Sequence, residues 1–112
     1  LNNNNYTYIA FLFATLAGVS KVGSVTHSGS STDVDCGFTA GARLVMLKRT
    51  DATGDWYWWD STNGIIAGND PYLLLNDTAA QVTNTDYIDP LASGFQISGD
   101  FTDGDYIFYA IA

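Results

Sequence analysis

Short apolar stretches, several of them alternating with polar residues, run through this chain and predict β-strands. Residues 32–36 are the clearest case, because Val34 and Cys36 alternate with Asp33 and Asp35 as in a half-buried strand. Clusters of Gly, Asp and Ser separate the stretches, as is typical of an antiparallel sandwich. No stretch of useful length has a helical period. The pattern predicts strands at residues 6–14, 21–26, 32–36, 43–50, 55–60, 72–75, 95–98 and 106–112.

The two central stretches, 43–50 and 55–60, predict a β-hairpin. The connection from Asp51 to Gly54 suits a four-residue turn, because Gly accepts a positive φ. If Thr50 faces Asp55, the hairpin has Val45, Leu47, Trp56 and Trp58 on one face and Leu44, Met46, Tyr57 and Trp59 on the other. Both faces are apolar. We therefore expect one face in the core and the other covered by a second sheet, a neighbouring module or another subunit.

A seven-residue segment near the start of the chain, Tyr8-Ile-Ala-Phe-Leu-Phe-Ala14, nearly recurs as Tyr106-Ile-Phe-Tyr-Ala-Ile-Ala112. The offset is 98 residues, about the size of one small domain. A repeat at this spacing predicts a module of a tandem array, in which the closing strand of one unit leads into the next. We expect residues 1–14 to be a linker and a strand resembling the closing strand of a preceding repeat. Residues 15–112 are then one antiparallel β-sandwich module, jelly-roll-like in form.

The composition supports an all-β fold and narrows the range of possible binding partners. All 12 acidic residues are Asp, which favours turns, whereas Glu, the better helix former, is absent. The net charge of −8 argues against a nucleic-acid partner, since phosphate binding needs a basic surface. The longest apolar stretch, residues 8–19, is too short to span a bilayer, so no membrane insertion is expected.

Few residue patterns in the chain point to a reaction. His27 is the only histidine and Cys36 the only cysteine, so one chain cannot supply the usual four-ligand zinc site. The Asp residues within 99–105 do not follow the EF-hand spacing, and no Gly-x-Ser-x-Gly sequence is present. Asp and Gly in such clusters more often build turns than ligand sites, so we expect residues 99–105 to form a hairpin turn that leads into the last strand. We expect neither a metal nor another cofactor, and no enzymatic activity.

The aromatic run Trp56-Tyr57-Trp58-Trp59 is the strongest functional candidate. Aromatic side chains dominate cores, and they also anchor protein interfaces. Their faces can equally stack on sugar rings, while a neighbouring carboxylate accepts hydroxyl hydrogen bonds. Trp56, Trp58 and Asp60 are therefore the candidate glycan contacts.

Four longer segments resemble sequences found in predicted tail and other virion proteins of marine bacteriophages. The segments are residues 8–23, 35–50, 54–60 and 106–112. Modules of that family sit in tandem within long structural proteins, so the resemblance implies a virion component, in a tail fibre or another appendage. It also implies trimers as a common state. The resemblance carries over no catalytic or binding residue.

These observations predict a structural module of a bacteriophage virion that acts by assembly. Its partners are then other copies of itself and other virion proteins. The residues predicted to make these contacts are Tyr8, Phe11, Phe13, Trp58, Trp59 and Tyr109. The alternative is a receptor- or glycan-binding module for host attachment. Its partner would be a host surface glycan.

Overall fold

Two antiparallel β-sheets pack against each other in the computed structural model, which describes residues 5–112. Residues 5–112 contain no helix, so the fold is all-β. The strands are β1 (Ser20–His27), β2 (Thr32–Asp35), β3 (Leu44–Arg49), β4 (Trp56–Asp60), β5 (Leu73–Leu74), β6 (Ile88–Leu91), β7 (Gly94–Ile97) and β8 (Gly104–Ile111). This architecture confirms the predicted β-sandwich.

The larger sheet has five strands in the order β1-β8-β3-β4-β5, and the smaller has three in the order β2-β7-β6. β8 is the last strand in the chain, yet it lies between β1 and β3 and pairs antiparallel with both. β7 and β8 belong to different sheets. The segment that joins them, 98–103, therefore crosses between the sheets, and the hairpin turn expected there is wrong.

The core lies between the sheets and is built from alternate strand residues. In β8, the inward positions Tyr106, Phe108 and Ala110 are buried, whereas the residues between them are at least partly exposed. This is the two-residue period of a strand with one face in a core. Several apolar side chains from both sheets are fully buried: Trp59, Phe95, Leu47, Ile88, Ile97 and Val45.

The β3–β4 hairpin is present, but its register is shifted by one residue from the predicted one. Val45 faces Trp59, where the predicted register paired Met46 with Trp59. Because side chains alternate across a strand, a shift of one residue exchanges the faces of β4 relative to β3. The core face carries Val45, Leu47, Tyr57 and Trp59, and the opposite face carries Leu44, Met46, Trp56 and Trp58.

The prediction for the start of the chain is wrong in one respect. Residues 6–14 form no strand, and they are exposed along their whole length. Residues 1–4, part of the predicted linker, lie outside the described residues. β6 is a strand that the sequence pattern did not predict.

Candidate functional site

The face of the five-stranded sheet that points away from the smaller sheet is apolar, and we call it the outer face. Its apolar residues alternate with the core positions and include Val22, Leu44, Met46, Trp56, Trp58, Ile107, Tyr109 and Ile111. The polar residues of the same alternation are Ser24, Thr26, Lys48, Asp60 and Asp105. Val22, Trp56 and Ile107 are 40%, 39% and 45% exposed. An exposed apolar surface of this kind is typical of a contact site.

Residues 6–14, which we call the N-terminal segment, lie over part of this face. The ring of Phe13 stacks on that of Tyr109 with centroids 4.3 Å apart. Two hydrogen bonds hold the end of the segment: Ser20 Oγ donates to the Ala14 carbonyl at 2.8 Å, and the Val22 amide donates to Thr15 Oγ1 at 3.1 Å.

The cover that the N-terminal segment provides is thin. Ile9, Phe11 and Leu12 are 85%, 80% and 93% exposed. Burying one such side chain fully is worth about 1.5–3 kcal/mol. The segment therefore adds apolar surface to the face that it crosses, and most of that surface stays open to solvent.

Two open cavities lie on the outer face, and Phe11 and Phe13 border both of them. The first has a volume of about 400 Å³ and extends over Val22 and Ile107. The second has a volume of about 790 Å³ and extends over β3 and β4 to Leu75 and Asn76, which follow β5; Trp58 forms part of its wall. Both volumes are in the range of sites that accept several large side chains.

The two cavities are almost free of charge. Among residues 5–112, Lys48 is the one charged residue in their lining, and no carboxylate takes part. Lys48 Nζ donates hydrogen bonds to the carbonyls of Gly54 at 2.8 Å and Arg49 at 3.2 Å. Asp60 of β4 and Asp105 of β8 alternate onto the same face of the sheet, but neither lines the two cavities. Repulsion between the carboxylates of two copies is therefore weak where the cavities meet.

Most of the predicted contact residues lie on the outer face or in the N-terminal segment that covers it. Phe11, Phe13, Trp58 and Tyr109 border the cavities, and Tyr8 lies in the N-terminal segment. Trp59 is 0% exposed and belongs to the core, because the register shift turns its side chain inward, so the folded domain presents no Trp59 surface to a partner. Contact between these residues and another chain stays a prediction.

The candidate glycan contacts do not converge on one polar site. Trp56 and Trp58 share the outer face, but the Asp60 carboxylate is used by its own turn. Asp60 Oδ1 accepts hydrogen bonds from the amides of Thr62 and Asn63. Burial raises the pKa of Asp60, but hydrogen bonds from Asn63, Thr62 and Trp58 outweigh it and hold this pKa below its usual value. An aromatic platform is present without a free carboxylate beside it.

Other reactive groups are buried and separate from the outer face. Burial raises the pKa of the Cys36 thiol to about 11, so this thiol is protonated and unreactive at neutral pH. His27 is 1% exposed, and its Nδ1 lies 2.9 Å from Thr32 Oγ1. Among residues 5–112, no three His, Cys or Asp side chains are placed to hold a metal ion.

Asp70 is a fully buried carboxylate, although Asn69 and Asp70 together are typical of an ordinary turn. Its Oδ1 accepts the Ile66 amide at 2.8 Å, and its Oδ2 accepts the Ile88 amide at 3.3 Å. It therefore ties the loop after β4 to the first residue of β6. Burial raises the pKa of Asp70 to about 6, although the two amide hydrogen bonds act in the opposite direction, and Asp86 and Asp89 raise it further.

This pKa predicts how stability depends on pH. The folded-state pKa lies above the ordinary value of 3.8, so the folded chain holds a proton that the unfolded chain releases. The stabilisation is complete below pH 3.8 and is lost as pH rises through about 6. Relative to Asp70→Asn, which cannot titrate, the wild type should lose about 2 kcal/mol in the free energy of unfolding from pH 4 to 7.

Urea denaturation at several pH values measures this difference. Asp77→Asn, which removes an exposed carboxylate, is the matched control for a general change in charge. Parallel profiles for the wild type and Asp70→Asn over this pH range would show that Asp70 does not titrate there.

Comparison with known proteins places the fold in a family without adding a reaction. No curated protein and no solved structure is significantly similar to the chain. Since residues 5–112 contain no helix, no helical membrane span occurs among them. Residues 1–112 match the family described as Domain of unknown function (DUF7483). Because this match spans the whole sequence, the β-sandwich described above belongs to that family.

Proposed function

We propose that this domain is a structural module of a bacteriophage virion, in a tail fibre or another appendage, and that it acts by assembly rather than catalysis. The observation that carries the proposal is the outer face, a sheet surface that is apolar and only thinly covered. The assignment to a virion is supported by the sequence resemblance of the four segments named above.

Assembly through the outer face is favourable on two grounds. Trp56, Ile107 and the exposed residues of the N-terminal segment have apolar area that a partner would remove from water. The cavity linings contain no carboxylate, so association there requires little desolvation of charge. The partners proposed are other copies of this chain and other virion proteins.

Adding a negative charge to the outer face should weaken this association. Trp56→Asp introduces a carboxylate into the lining of both cavities. We expect the average mass of the wild type, measured by light scattering, to rise with concentration. We expect Trp56→Asp to raise the dissociation constant at least about tenfold, which is about 1.4 kcal/mol.

The matched control is Ala79→Asp, which adds the same charge at an exposed position outside both cavities. It should associate like the wild type. A wild-type chain that stays monomeric at every concentration, or equal weakening by both variants, would count against assembly through this face.

Glycan binding is the second candidate, because Trp56 and Trp58 place two indole side chains on one accessible face. Under this alternative, host surface polysaccharide changes the tryptophan fluorescence of the wild type and Trp56→Ala removes the change. The commitment of Asp60 to its own turn makes this the weaker of the two proposals.

A further inference from the structure

We infer that the outer face of this module docks onto the outer face of a second copy of it, and that residues 6–14 occupy the place of that copy's closing strand. The inference rests on the proposed function, since it assumes assembly between copies. It specifies which surface of the second copy makes the contact and how β8 of that copy is oriented.

The first step is a match of side-chain direction between the N-terminal segment and β8. In β8, Ile107, Tyr109 and Ile111 point to the outer face. At the 98-residue offset, Phe11 corresponds to Tyr109 and Phe13 corresponds to Ile111. Phe11 and Phe13 are the residues of the segment that border the outer-face cavities. The side of the segment that faces this module is therefore the side that faces outward in a closing strand.

The opposite side of the segment has the pattern of a core-facing side. Leu12 corresponds to Ala110, which is 0% exposed, and Ala10 corresponds to the buried Phe108. In the single chain, Leu12 is 93% exposed. Burial of this side requires a second sandwich, in which the equivalent positions of the closing strand are covered by the smaller sheet.

The cavities correspond to the strands that flank a closing strand. β8 has β1 on one side and β3 on the other. The two cavities share Phe11 and Phe13 as a wall, and one extends over β1 whereas the other extends over β3 and β4. The outer faces of a second copy's β1 and β3, which carry Val22 and Met46, would enter these two spaces.

The connection between the segment and β1 is short, which requires the two modules to be in contact. The Leu16 amide donates to the Ser20 carbonyl at 3.0 Å, and the Ser20 amide donates to the Leu16 carbonyl at 2.9 Å. Gly18 takes the positive φ of 71° within this turn. A strand that ends at Ala14 therefore cannot belong to a distant sandwich.

The contact is reciprocal, because each module offers the same face. It therefore closes at two modules, as an isologous interface does. The first module's own N-terminal segment then leaves its face, since the second module takes that space.

A two-module chain tests the inference: residues 1–112 followed directly by a second copy of residues 15–112. In this chain Tyr106–Ala112 of the first module stand where Tyr8–Ala14 stand now. Cysteines at Ile111→Cys of the first module and Tyr109→Cys of the second should be joined by a short thiol-specific cross-linker. Ala110→Cys, which points into the first module's core, is the matched control and should not be joined. The native Cys36 is buried and gives no background.

A second measurement tests whether the outer faces of the two modules cover each other. Met46→Cys on the outer face should react with a maleimide at least about tenfold more slowly in the two-module chain than in the dilute single chain. Ala79→Cys, away from the face, should react equally fast in both chains. Failure of the 111–109 cross-link, equal cross-linking at 110, or an unchanged rate at Met46→Cys would each overturn the inference. Self-association of the single chain, measured separately, tests the proposed function by itself.

Discussion

Trp59→Ala should lower the free energy of unfolding by about 3–5 kcal/mol. The side chain is 0% exposed, and its ring packs against those of Tyr57, Tyr72 and Phe101 at centroid distances of 5.3–6.1 Å. Removing it leaves a cavity that these large rings fill only in part, so both the transfer free energy and the packing contacts are lost. Guanidinium denaturation followed by circular dichroism measures the change.

Trp58→Ala is the matched control, because it removes the same side chain from the adjacent residue on the outer face. We expect its cost to be less than half that of Trp59→Ala in the dilute monomer. The pair also tests the hairpin register. If Trp58→Ala destabilised the chain more than Trp59→Ala, the predicted register would be the right one and the observed faces would be exchanged.

Gly94→Ala should destabilise the domain by about 3 kcal/mol or more. Gly94 faces Asp35 of β2 and Leu91 of β6, at the start of the central strand of the smaller sheet. An added Cβ would lie 2.0 Å from the Val34 carbonyl oxygen and 3.0 Å from the Cys36 amide nitrogen. Both atoms are backbone, so the methyl group can be accommodated only by separating β2 from β7.

Gly99→Ala provides the comparison, because its added Cβ would meet nothing closer than 3.7 Å. We expect that substitution to change stability by less than about 1 kcal/mol. Thermal unfolding of both variants gives the difference. A Gly94→Ala variant as stable as Gly99→Ala would show that the β2–β7 pairing adjusts without loss.

Strand positions could be predicted from sequence where side chains alternate or apolar runs are bounded by turns. The alternation around Val34 and Cys36 gives β2, and the apolar run of the closing segment gives β8. β6 was missed because it is short and contains Pro90. Proline has no amide hydrogen to donate and is acceptable here because β6 is an edge strand of the smaller sheet. Edge position is a tertiary property that the local sequence does not contain.

The hairpin register depends on contacts from a distant part of the chain. The Thr50 amide donates to the Asp105 carbonyl at 2.8 Å, so it is unavailable to pair with Asp55 as the four-residue turn requires. Lys48 Nζ then bonds the Gly54 carbonyl inside a longer connection of residues 50–55. Turn composition alone indicates the shorter loop, and only pairing with β8 selects the longer one.

The candidate site was predictable in its residues but not in its arrangement. The high aromatic content of residues 6–14 indicated a buried strand, since β-propensity reports fit to a pleated, half-buried surface. The segment instead lies over the outer face, because β8 already occupies the position between β1 and β3. Asp70 was not found, because its burial depends on the Ile66 and Ile88 amides from two separate segments.

The position of β8 also determines the order in which this domain can fold. β1 and β3 do not pair with each other, and β1 joins the larger sheet only through β8, which follows all the other strands within residues 5–112. Contacts that join the two ends of a chain form slowly, since the entropy of closing the long loop is lost before they are made. On the ribosome, β1 therefore cannot join β3, β4 and β5 in one sheet until β8 has been translated.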